Sequence, residues 1–152
     1  MRPRAAILCL IVLSITAASA DPLVGRWALN LDRSHYGGGA ERRRQEMFIC
    51  QLDGALLKCT IESVRADGRK LVGTFTAPYD GKRHPATGIP DVDEVTLLKS
   101  DDFIADATFS YKGRPVFGYR SVRSDDGRSL TIVSVEPTTR AVHSSVVVYD
   151  RK

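Results

Sequence analysis

An all-β fold is what this sequence predicts: a meander of antiparallel strands closed into an up-and-down barrel. Three observations carry the prediction. Apolar and polar residues alternate through most of the chain, the period of a strand with one buried face, while the 3.6-residue period of a helix is scarce. Between the alternating runs the same turn signal returns, at Asp53-Gly54, Asp67-Gly68, Asp80-Gly81, Lys112-Gly113 and Asp126-Gly127. Asp-Gly accepts the positive φ of a tight hairpin turn, so the repeat marks neighbouring antiparallel strands. Finally, about nine strands in one open sheet would leave apolar edges exposed, and closure removes them. A two-sheet sandwich or half-barrel is the alternative; Greek-key sandwiches need long crossings, and these connections are mostly short.

The chain has 152 residues. Residues 1–20 carry the three parts of a secretory signal: Arg2 and Arg4, an apolar run, and the small residues Ala18-Ser19-Ala20. That run falls short of the ~20 apolar residues of a spanning helix. No other segment reaches spanning length, so no membrane span is expected. A lipid anchor on Cys9 is disfavoured because Leu8 stands where a small residue belongs. The expectation is an exported protein, periplasmic or secreted, whose remaining 132 residues suit one domain. Losing Arg2 and Arg4 leaves 20 basic against 18 acidic side chains, close to balance. That removes the electrostatic case for nucleic acid.

Strand candidates follow in order. Residues 25–30 open the domain and hold Trp27 and Asn30, the only tryptophan and asparagine. Residues 32–44 break the pattern with Gly37-Gly38-Gly39 and Arg42-Arg43-Arg44, and are expected as a loop or short, poorly formed helix. Runs 45–52 and 56–64 flank Asp53-Gly54 as a hairpin. Cys50 alternates with Phe48 and Leu52, and Cys59 with Leu57 and Ile61, so both sit on the apolar sides that a hairpin brings together. A disulfide closing that short loop is expected, contributing about 2 kcal/mol; two buried thiols are the alternative. Run 70–77 comes next, then residues 79–91, where Pro85, Gly88 and Pro90 read as a constrained loop able to guard a barrel mouth. Runs 92–99, 103–111, 116–123, 129–136 and 142–149 complete the meander. The clearest is 103–111, with Phe103, Ala105, Ala107, Phe109 and Tyr111 on one face.

Gly25-Arg26-Trp27-Ala28-Leu29-Asn30 resembles the Gly-x-Trp opening strand of the calycins. Together with Tyr79-Asp80-Gly81-Lys82 and the Pro85, Gly88 and Pro90 that follow, the chain is similar to a family of small exported bacterial lipocalin-like proteins. The likeness runs along most of the mature chain in short pieces. It implies a lipocalin-like barrel or half-barrel and no particular reaction. It also implies that Trp27 packs at the closed end beneath an arginine from a late strand, Arg120 or Arg140. The cysteine pair and Arg42-Arg43-Arg44 depart from the family pattern, as does the lack of the later lipocalin motifs.

For a site, the aromatic set Phe75, Phe103, Phe109, Tyr111, Phe117 and Tyr119 carries the reading. Either these side chains fill the core, or they line an apolar cavity of ~300 Å³ or more, the usual form of a small-molecule site. On a regular strand Tyr119 and Arg120 face opposite ways. His35, His84 and His143 lack the close spacing of a zinc site, and no metal or cofactor is expected. Ser144 and Ser145 beside His143 form no nucleophile elbow, and Gly37-Gly38-Gly39 lacks the context of a phosphate loop. No enzyme signature stands out. The expectation is a binding protein for a small apolar or amphipathic molecule; the alternative is an envelope interaction or maintenance protein with a filled core.

Overall fold

The computed structural model describes residues 21–37, 42–137 and 141–152, without the side chains of Val142, His143 and Ser144. The expected leader, Gly38, Gly39 and Arg140 lie outside the described residues, as does the side chain of His143.

Ten strands run through the described residues: β1 (Gly25–His35), β2 (Arg43–Asp53), β3 (Leu56–Arg65), β4 (Lys70–Ala77), β5 (Arg83–Thr87), β6 (Glu94–Lys99), β7 (Ile104–Tyr111), β8 (Arg114–Arg123), β9 (Ser129–Val135) and β10 (Val142–Arg151). Each pairs antiparallel with the next, and β1 closes onto β10, so the sheet is a closed barrel. Among the described residues there is no helix, and hence none able to cross a membrane. The turn glycines take the positive φ their dipeptides announce. At the β7–β8 hairpin both central residues do so, Lys112 at 50° and Gly113 at 74°, the two-residue turn whose twist matches its strands.

Three elements differ from expectation. Pro85 lies inside a strand, β5, rather than a loop. The strand tolerates it because β5 pairs with β4 only through Ala86 and Thr87, and Pro85 falls where its partner is Glu94 of β6. β1 runs on to His35 and β2 starts at Arg43, so most of the expected 32–44 loop is wall. β1 leaves regular register between Asn30 and His35, where the Ser34 hydroxyl accepts the Val148 N–H at 2.9 Å and donates to the Asn30 carbonyl at 2.6 Å.

One end of the barrel is plugged. Residues 21–24 fold across it, with Asp21 Oδ1 accepting the Leu23 N–H at 2.8 Å and the Tyr79 hydroxyl at 3.0 Å. Burial and the Asp21 carboxylate push the Tyr79 phenol far above its usual value. Trp27 is wholly buried beneath this segment and donates its indole N–H to the Leu23 carbonyl at 2.9 Å. At ~25 cal/mol per Å², an aromatic side chain of ~200 Å² contributes up to about 5 kcal/mol by leaving water. Leu57, Ala77, Val95, Leu97 and Leu130 complete this dry layer.

The disulfide is formed. Cys50 and Cys59 are direct cross-strand partners in the β2–β3 hairpin, with Cα atoms 4.2 Å apart and both side chains in the core. The expected partner of Trp27 is corrected. Arg151, opposite Trp27 in the β1–β10 ladder, places its guanidinium 5.1 Å from the ring centre. Arg120 instead faces outward and grips Asp106 across β7–β8 with two bonds, at 3.0 and 2.9 Å. Strand parity explains this: Tyr119 takes the inward side, and Arg120 is left outside.

Candidate functional site

Above the dry layer the side chains stop filling the interior. A cavity of about 410 Å³ opens there, walled by the aromatic residues on one side and by a charged cluster on the other.

The aromatic wall is built by β4, β7 and β8. Phe75 and Phe109 meet edge to face with centres 5.9 Å apart. Phe109 also packs on Phe117 at 5.0 Å and on Tyr119 at 6.1 Å. Phe109 and Phe117 are cross-strand partners, and Tyr119 lies two residues along the same face of β8, so period-2 alternation alone brings the three together. Ile61 of β3 and Ile89 of the loop after β5 add aliphatic surface. Of the expected 79–91 loop only Gly88, Ile89 and Pro90 reach the cavity, since Tyr79 belongs to the plugged end and residues 83–87 are strand. Gly88 there has φ 74°, and an added Cβ would collide with the Val72 carbonyl, so the approach of loop to wall requires glycine.

Four of the six expected aromatic residues, Phe75, Phe109, Phe117 and Tyr119, line this cavity. Phe103 and Tyr111 do not, and each is 39% exposed. Asp101 Oδ1 accepts the N–H groups of both Phe103 and Ile104 at 2.8 Å, holding Phe103 in a turn just before β7. Its ring lies outside under the Arg123 guanidinium. At the other end of β7 the partners step from Phe109↔Phe117 to Ser110↔Pro115, leaving Val116 as an extra residue. Beside this bulge Ser110 is buried and Tyr111 is exposed, with Lys112 over its ring.

Alternation by itself does not place Arg43 on the charged wall. Glu46 of β2 is buried at 6% exposure and accepts two hydrogen bonds on the same oxygen, one from the Tyr149 hydroxyl of β10 and one from Arg43 at 3.0 Å. Residues 43 and 46 would face opposite ways on a regular strand. A register shift between Arg43 and Gln45, paired with Arg65 and Val64, turns both inward. Arg42-Arg43-Arg44 is therefore not simply a solvated loop, because its middle residue enters the barrel. Burial raises the Glu46 carboxyl above its ordinary value, opposed by the Arg43 charge and the Tyr149 hydrogen bond. Burial first, and then Glu46, push the Tyr149 phenol well up. Tyr36, just past β1, also lines the cavity, and its hydroxyl oxygen is buried without a hydrogen-bond partner among the described residues. One signal in the sequence pointed here: Glu46 shares a strand face with Phe48 and Cys50, and a carboxylate in an apolar phase calls for buried partners.

The arrangement is a half-apolar, half-polar chamber that fits a molecule with the same division. Among the described residues no group of three or more His, Cys, Asp or Glu side chains is placed to hold a metal ion. No family model, curated protein or solved structure matches the chain.

Proposed function

We propose that this protein is an exported binding protein that holds a small amphipathic molecule inside its barrel. The molecule's apolar body lies against Phe75, Phe109 and Phe117, and its polar end faces the Glu46–Arg43–Tyr149 cluster. The observation that carries the reading is the 410 Å³ cavity with those two unlike walls. A volume of that size falls within the ~300–1,000 Å³ of small-molecule sites. The filled-core alternative from the sequence describes only the plugged half of the barrel. Export rests on the leader-like residues 1–20 and agrees with a disulfide, which persists in oxidising compartments. The lipocalin-like resemblance is compatible with a barrel that carries a ligand.

Titration with a neutral apolar dye, Nile red, tests the proposal. A saturable 1:1 enhancement at micromolar dye is expected. Phe109→Ala and Phe117→Ala should each change the affinity severalfold, while Phe103→Ser and Tyr111→Ser should leave it unchanged. No saturable response, or equal effects of the inner and outer pairs, would overturn it.

A further inference from the structure

The β1–β2 ladder ends early. Its pairs run from Gly25↔Cys50 to Ala28↔Met47, although β1 continues to His35 and β2 reaches back to Arg43. A second cleft, of about 420 Å³, lies along these unpaired stretches and is lined by Leu31, His35, Arg42 and Arg44 among others. Tyr36 and Arg43 line both this cleft and the barrel cavity, so they form the boundary between them.

We propose that the ligand carries an anionic head, a carboxylate, seated at this boundary between the Tyr36 hydroxyl and the Arg43 guanidinium. The inference rests on the cavity reading above and adds the sign and place of the head group. Three observations support it. The Tyr36 hydroxyl is buried and has no partner among the described residues; an O–H in that position needs an acceptor, and a carboxylate oxygen is a strong one. Glu46 takes one donor of the Arg43 guanidinium, and a guanidinium has five. Charge supplies the third. Among the described residues, Arg42, Arg43 and Arg44 line the second cleft with no carboxylate beside them there, and Glu46 is the carboxylate that lines the barrel cavity. A cationic head would meet that excess unfavourably, and a neutral head would gain nothing from it.

Calorimetric titration with three probes of equal chain length tests the head group: dodecanoate, dodecanol and dodecyltrimethylammonium, each below its micellar concentration. Dodecanoate should bind about tenfold more tightly than dodecanol, the size of one charge-assisted hydrogen bond. The ammonium probe should bind most weakly. Tyr36→Phe should erase most of the dodecanoate advantage and leave dodecanol unchanged. This variant removes one unpartnered oxygen, so its fold is safe where that of an Arg43 variant is not. Equal affinity for all three probes would overturn the head-group assignment while leaving the cavity reading intact, and so would a Tyr36→Phe variant that keeps the full preference. Failure of every probe, with no response to Nile red, would overturn both.

Discussion

Replacing Arg43 by glutamine tests whether the buried charge cluster is organised as described. The Arg43 side chain is 28% exposed and that of Glu46 5%. Removing one partner of a buried ion pair costs about 3–5 kcal/mol, because the remaining charge is stranded in a poor solvent. Arg43 keeps some contact with water, so the lower figure applies, about 3 kcal/mol at pH 8. At roughly 2–4 °C per kcal/mol for a domain of this size, Tm should fall by about 6–12 °C. The pH dependence has a definite sign. Burial already raises the Glu46 carboxyl, and Arg43 is the first influence holding it down. Without Arg43 the folded state binds the Glu46 proton still more tightly than the unfolded state does. A carboxyl raised on folding loses stability as pH climbs from its unfolded value through its folded one, and regains it on acidification. The Arg43→Gln deficit should therefore shrink between pH 8 and pH 5. A Glu46→Gln change added to Arg43→Gln should recover much of the loss at pH 8, since the amide oxygen still accepts the Tyr149 hydroxyl. Urea unfolding followed by Trp27 fluorescence measures each quantity. A deficit below about 1 kcal/mol at pH 8, or one equal at both pH values, would refute the reasoning.

Two further outcomes follow from the closed end. Cys50→Ala with Cys59→Ala opens a loop whose ends are nine residues apart, which lowers stability by about 2–3 kcal/mol on the chain-entropy account; a loss under ~0.5 kcal/mol in urea would contradict it. Arg151→Ala should cost about 0.5–1 kcal/mol and alter Trp27 emission. Arg120→Ala, which removes an outer ion pair with Asp106, should cost about as little and leave that emission unchanged.

Alternation and turn chemistry specify the fold here because both are local. Each run such as 45–52 carries its own period, and each Asp-Gly carries its own positive φ, so the meander and the Cys50–Cys59 pairing can be read without knowing what lies across the barrel. Pro85 shows the limit of that logic: whether a proline breaks a strand depends on which neighbour pairs beside it, and that neighbour is β6.

The site was legible to the same extent. Phe109, Phe117 and Tyr119 meet because regular pairing places them together. Phe103 lies outside because a turn held by Asp101 precedes β7, and Tyr111 is exposed at the strand's other end, where β8 carries a bulge at Val116. Arg151 rather than Arg120 covers Trp27 because closure of β1 onto β10 sets the facing residue.

By itself, then, the sequence determined an all-β meander, its hairpins and its disulfide, all consequences of interactions between near neighbours in the chain. Only the tertiary structure decided that one half of the interior is filled and the other hollow. It alone joined Tyr36, Arg43, Glu46 and Tyr149. Those four come from opposite ends of the chain, and bulges and barrel closure, which leave no periodic mark in sequence, are what bring them together.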